Sequence, residues 1–112
     1  KSNRILGRTS DRRGHLMKSL ASSLLEHGAI VTTEAKAKEL RRNFEPIITR
    51  AREELSLANR RILISQLMHK EDLPALMEVG KKHAKRPGGY LRITKLPITR
   101  ADAARMARIE IL

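Results

Sequence analysis

The sequence predicts an α+β fold: a two-layer α/β domain in the order α-β-α-α-α-β-β, with a small three-stranded sheet covered by helices and a basic N-terminal arm ahead of it. Three observations carry this expectation. Apolar residues recur at three- and four-residue steps through most of residues 14–80, which is the helical period. A short β-branched run, "AIVTT", interrupts that pattern early. Two alternating segments, "YLRITKL" and "RMARIEIL", close the chain with a short connection between them, so antiparallel pairing is the simplest arrangement and the early strand can join them. A length of 112 residues fits one domain. It divides into a basic arm over residues 1–13 and a single α+β domain over residues 14–112. No internal repeat or low-complexity segment stands out.

The arm carries Lys1, Arg4, Arg8, Arg12 and Arg13 against one acid, Asp11, and has no apolar period. Such a segment buries too little apolar surface to offset its own ordering entropy, so it is expected to order on an anionic partner. "SDRRGHLMKSLASSLLEHG" reads as the first helix, with Ser10 or Asp11 capping its start and Gly28 ending it. Leu16, Met17, Leu20, Ala21 and Leu24 share one face; His15, Lys18, Ser22 and Glu26 share the other. After the strand "AIVTT", Thr33 is placed to cap a second helix, and Glu34 suits the positive end of its dipole. Ala37, Leu40, Phe44, Ile47, Ile48, Ala51 and Leu55 form its apolar stripe. Pro46 falls opposite that stripe, where the carbonyl of Arg42 faces water and a bend toward the core is tolerable.

"LANRRILISQLM" predicts a third helix, with Leu57, Ile64, Leu67 and Met68 inward. "HKEDLPALMEVGKK" predicts a fourth, capped by Asp72, with Pro74 in its first turn and Gly80 as its stop. "KKHAKRPGG" is a cationic loop and turn. The strand "YLRITKL" ends at Pro97, "ITRADAA" is a loop, and the last strand puts Ala107, Ile109 and Ile111 on one face and Met106, Arg108 and Glu110 on the other. Tyr90, the one tyrosine, is expected on the outward strand face at the end of the cationic turn. There it either stacks on a nucleic-acid base or ribose, or closes the rim of the core with its hydroxyl bonded to backbone.

Charge narrows the function. Lys plus Arg number 24 against 12 Asp plus Glu, a net charge of +12. Folding that surplus into one domain costs self-repulsion unless an anionic partner neutralises it, and nucleic acid is the commonest such partner. An anionic membrane surface is the alternative, but no apolar run approaches the roughly eighteen residues of a span. The basic start has no apolar stretch after it of the kind a signal peptide carries. Cysteine is absent, which excludes disulfides and cysteine metal sites.

An enzyme needs a convergent set of groups, and none is visible. His15, His27, His69 and His83 are spread out with no paired ligand spacing, and a surface role is expected for each. Gly88-Gly89 lacks the Gly-Lys-Ser/Thr ending of a phosphate loop. No metal, cofactor or small-molecule substrate is expected. What remains is a distributed cationic surface: the arm, Lys18, the Lys36, Lys38, Arg41 and Arg42 group, Arg60-Arg61, and Lys85, Arg86 and Arg92 around the turn. Several such clusters hold a protein on phosphates without reading sequence.

"TTEAKAKELRRNFEPIITRA", followed by "RPGGYLRITKL" and a closing "MARIEIL", resembles the family of the seventeenth protein of the large subunit of bacterial and organellar ribosomes. The similarity also takes in "KSNRILGRTS" and "SLLEHGAIVTTEAKAKELR", so it spans nearly the whole chain. It departs where Arg12 stands in place of a histidine and where Ala101 replaces a glycine before Asp102. The resemblance implies a non-catalytic structural protein bound to large-subunit ribosomal RNA near the exit side of the peptide tunnel, beside other large-subunit proteins, with its arm penetrating the RNA. Within this reading, RNA contacts are expected from the cationic surface at Lys1, Arg4, Arg8, Arg12, Arg13, Lys18, Lys36, Lys38, Arg41, Arg42, Arg60, Arg61, Lys85, Arg86 and Arg92, and from Tyr90. A cytoplasmic ribosome is expected over an organellar one, because long extensions are lacking. A free nucleic-acid-binding factor and a small RNA-modifying enzyme are the rival readings.

Overall fold

Helix passes to strand at a single glycine in the computed structural model, which describes residues 10–52, 56–86, 88–99, 101 and 103–112. Helix α1 spans Ser10–His27. Gly28 follows at φ 79°, a left-handed backbone that favours glycine, and its N–H returns to the Leu24 carbonyl at 2.7 Å. Strand β1 is Ala29–Thr33. Thr33 then caps helix α2, Glu34–Ala51, by accepting the Lys36 N–H on its hydroxyl at 3.3 Å. The expected stripe of α2 is inside: Ala37, Leu40, Phe44, Ile48 and Ala51 are buried and Ile47 is half-buried. Pro46 lies on the exposed side and the helix runs through it.

Helix α3 (Leu57–Ser65) starts at Ser56, whose hydroxyl accepts the Asn59 N–H at 3.1 Å. A 3₁₀ turn, Lys70–Asp72, leads into helix α4, Leu73–Lys82. Strands β2 (Leu91–Thr99) and β3 (Arg105–Ile111) complete an antiparallel sheet in the order β1-β3-β2. The register aligns Ile30, Ile109 and Ile93 across the inner face. It aligns Val31, Arg108 and Thr94 across the outer face, where Val31 is 56% exposed. Helix α2 contacts all three strands and each of the other α-helices, so it is the hub of the helical layer. Leu24, Leu40, Ile48, Leu63, Leu76 and Ile109 are wholly buried between the layers. Each such side chain contributes about 1.5–3 kcal/mol by leaving water.

Four local expectations are corrected. Gly80 does not stop α4: it lies inside the helix, buried against α2. A Cβ there would sit 2.6 Å from the Ala51 carbonyl oxygen, so the glycine permits a close helix approach. Pro97 does not end β2, which continues to Thr99. β2 is an edge strand, where a residue without an N–H is tolerated, and the pairing shifts register between Lys95 and Thr99. Asp72 makes no capping hydrogen bond, because the 3₁₀ turn runs straight into α4. Leu57 is 67% exposed, while Asn59 and Leu63 take the inward side of α3. Asn59 wins that place through its amide, which donates to the Arg50 carbonyl and accepts from Arg50 Nη1, both at 3.3 Å. Of the other residues expected inward, Leu67 is buried and Ile64 and Met68 are half-buried. Residues 1–9 of the arm and Leu55 lie outside the described residues; residues 10–13, counted with the arm, begin α1.

Candidate nucleic-acid interface

Helix α2 carries two kinds of flank. Glu34, Lys38, Arg41, Glu45, Thr49 and Arg52 follow one another at three- and four-residue steps, a stripe that continues just past the helix end. This stripe runs beside β2. At its start the Glu34 carboxylate pairs with Lys38 at 2.8 Å and with Lys95 of β2 at 3.6 Å. The Lys38 hydrogen bond comes first among the causes that hold the Glu34 carboxyl below its ordinary value of 4.5; burial opposes it, and the charges of Lys38, Lys95 and Arg105 assist it. Further along, Glu45 Oε2 accepts the Tyr90 N–H at 2.9 Å. Both acids of the stripe are thus engaged within the protein. Arg41 and Arg42 are exposed and, among the described residues, have no ion-pair partner. With Lys38, Glu45 and Pro46 they line a shallow cleft.

The stripe ends at Tyr90, where the structure corrects the outward placement and bears out the hydroxyl-to-backbone bond of the core-rim alternative. Tyr90 precedes β2 and is fully buried rather than outward-facing. Its hydroxyl donates to the Arg86 carbonyl at 3.0 Å and accepts from Arg52 Nη1 at 2.5 Å, with Thr49 Oγ1 3.2 Å away. The ring stands against the His83 ring, centroids 5.5 Å apart. Burial by itself raises the phenol, but hydrogen bonds from Thr49 and Arg52 and the Arg52 charge outweigh it, leaving the group below its ordinary 10.0. A ring enclosed on all sides cannot stack on a base, so Tyr90 leaves the set of direct RNA contacts. His83 is a second correction: it is buried, not on the surface. Its Nε2 stands 2.7 Å from the Leu112 carbonyl oxygen; that oxygen can only accept, so Nε2 carries the proton.

The fold brings some of the predicted cations together and keeps others apart. Lys85 and Arg86, with Lys82 and His83, line a surface depression at the turn, and Tyr90 ties that turn to the α2 stripe. Lys38, Arg41 and Arg42 thus line one depression and Lys85 and Arg86 another, linked through Glu45 and Tyr90. Arg13 and Lys18 instead line a groove of ≈ 300 Å³ between α1 and α2, with Arg12 exposed nearby in sequence. That groove also holds Glu39, buried, whose Oε1 accepts from Asn43 Nδ2 at 3.2 Å. Lys36 is half-buried on the same helix, and Arg60 and Arg61 are exposed on α3. Arg92 lies on the open sheet face in register with Glu110, 3.9 Å away. Lys1, Arg4 and Arg8 lie outside the described residues.

Sequence reasoning passed over Arg52, Lys95 and Arg108. Strand alternation did place Arg108 outward, but its neighbours across the sheet, Thr94 and Val31, follow only from the pairing. The role of Arg52 at the Tyr90 hydroxyl left no local signal, because the two residues are far apart in the chain.

Among the described residues no helix is long and apolar enough to cross a membrane. Among the same residues no three His, Asp or Glu side chains are grouped to hold a metal ion. The family profile described as Ribosomal protein L17 matches residues 16–112. A protein of Gemmatimonas aurantiaca, described as large ribosomal subunit protein bL17, is 48% identical over 114 residues, covering 100% of this chain and 95% of that one. With the profile matching residues 16–112 and the relative aligned over the whole of this chain, the chain belongs to the ribosomal protein L17 family.

Proposed function

We propose that the protein is a structural constituent of the large ribosomal subunit that holds large-subunit ribosomal RNA by phosphate contacts and packs beside neighbouring large-subunit proteins. It is a ribosomal protein and not an enzyme. The observation that carries the RNA reading is the net charge of +12 combined with exposed Arg41 and Arg42, which have no ion-pair partner among the described residues because the nearby acids Glu34 and Glu45 are engaged elsewhere. Such cations face phosphates at little desolvation cost and release the counterions condensed on RNA. Lys38, Arg41, Arg42, Lys85 and Arg86 form the main contact region. Arg12, Arg13 and Lys18 form a second on α1, with Lys36, Arg60, Arg61 and Arg92 as outlying contacts and Lys1, Arg4 and Arg8 reaching out from the arm. Arginine serves these places well because its planar fork binds phosphate bidentately. The relative's name supports the subunit assignment. The particle is read as a cytoplasmic ribosome.

Sedimentation tests this. The full-length protein should co-migrate with large subunits through a high-salt wash that strips loosely bound cationic proteins. Recovery in the free fraction after that wash would overturn the structural-constituent reading.

A further inference from the structure

The turn between α4 and β2 concentrates Lys81, Lys82, Lys85 and Arg86 within six positions. Like charges so close repel and spread a turn that nothing restrains. The turn's own bonds are short-range: Arg86 N–H to the His83 carbonyl at 3.0 Å, and Arg86 Nη1 to the Gly89 carbonyl at 3.3 Å. Gly89, at φ 71°, adds conformational freedom in the unbound chain. His83 anchors the start of the turn, its Nε2 2.7 Å from the Leu112 carbonyl oxygen, and the second fastening to the rest of the molecule is Tyr90. Its hydroxyl holds the Arg86 carbonyl and takes a hydrogen bond from Arg52, while its N–H reaches Glu45 on α2. Its carbonyl accepts the Leu112 N–H at 2.9 Å, which anchors it to the end of β3 as well.

We propose that Tyr90 is a positioning residue for RNA binding: without touching RNA, it locks the Lys85–Arg86 turn against the cationic flank of α2, so that the two engage phosphates as one pre-set surface. This rests on the RNA-binding reading above and deepens it. A turn already in its bound conformation has no ordering entropy left to lose on association. When only a fraction of molecules holds that conformation, the apparent dissociation constant rises by the inverse of the fraction.

The test is Tyr90→Phe in the full-length protein, titrated against deproteinised large-subunit ribosomal RNA over a series of salt concentrations. Phenylalanine keeps the buried ring and removes only the hydroxyl. Losing one such hydrogen-bonded node should weaken binding roughly two- to tenfold at every salt concentration. The slope of log affinity against log salt should stay as in wild type, because the same phosphates are met in the complex. The pair Lys85→Ala, Arg86→Ala should instead flatten that slope, by roughly one unit for each phosphate that is no longer neutralised. Adding Tyr90→Phe to that pair should change affinity no further. In the free protein, amide hydrogen exchange at residues 84–86, 88 and 89 should accelerate in Tyr90→Phe. Ile109→Val, a core change in β3, should lower the unfolding temperature without altering RNA affinity, which separates positioning from general stability.

Unchanged affinity in Tyr90→Phe, beside a weakened alanine pair, would overturn the positioning role and leave the RNA reading intact. A flattened slope in Tyr90→Phe would mean direct contact and would overturn it too. If the alanine pair binds as wild type, the turn is outside the interface and the inference falls; Arg41→Ala with Arg42→Ala then tests the RNA reading by itself.

Discussion

Gly80 and Gly14 are both glycines inside helices, yet their surroundings give them opposite meanings. At Gly80 an added Cβ meets the Ala51 backbone at 2.6 Å, so α2 and α4 approach there because a side chain is missing. Gly80→Ala should force the helices apart and lower stability by about 1–3 kcal/mol, the usual range for overpacking a tight contact. At Gly14, exposed on α1, an added Cβ meets nothing within 4 Å. Gly14→Ala should stabilise the fold by about 1 kcal/mol through helix propensity. Urea denaturation of the two variants reads both signs; equal effects would show that α2 and α4 leave room for a methyl group at Gly80. Tyr90 and His83 make the same point for polar side chains. Both sit in a sequence stretch dominated by cations, and both are buried, because partners from α2, the turn and the chain's last residue satisfy their polar atoms.

At the scale of elements, α2 organises the molecule: it touches every strand and carries the cationic flank. Its first residue couples helix to sheet, since Glu34 holds Lys38 on its own helix and Lys95 on β2. The carboxyl is held below its ordinary 4.5, so the charged form is favoured in the folded state. The stabilisation is therefore present above pH 4.5 and is lost as pH falls through the lower, folded value. Glu34→Gln should reduce stability near neutral pH, and the gap to wild type should narrow below pH 4.5 and close in stronger acid. Chemical denaturation across that pH series measures it. A gap that persists unchanged in strong acid would assign the loss to packing, not charge. β2 also shows why a proline is a poor stop signal by itself: an edge strand has no partner on one side, and the pairing with β3 shifts register between Lys95 and Thr99, where a residue without an N–H is tolerated.

At the scale of the whole molecule the governing quantity is charge. A surplus of +12 on one small domain makes RNA affinity strongly dependent on salt. If roughly six to ten phosphates are engaged, affinity should fall about a thousandfold or more between 50 and 200 mM salt. Residues 1–9 supply three of the cations, Lys1, Arg4 and Arg8. Deleting residues 1–9 should weaken binding to large-subunit RNA more than any single substitution on α2, in the same titration. Equal binding by the truncated chain would move the weight of the interface onto the folded domain.

Local chemistry was enough to read the element order, the Thr33 cap, the Gly28 stop, the buried stripe of α2 and the two faces of β3. Periodicity and capping act over a few residues, so one stretch of sequence contains both partners of each interaction. The cationic clusters were legible for the same reason, as was the likeness of "TTEAKAKELR" and "GGYLRI" to a ribosomal family. Other features required the folded chain: which cations share a surface, that Gly80 is a contact and not a stop, that Asn59 displaces Leu57 inward, and that Tyr90 is a buried node. Each depends on atoms brought together from distant positions, as when Arg52 meets Tyr90 or Gly80 meets Ala51. Long-range packing sets burial, and burial decides whether a polar side chain serves the solvent, a partner or the core.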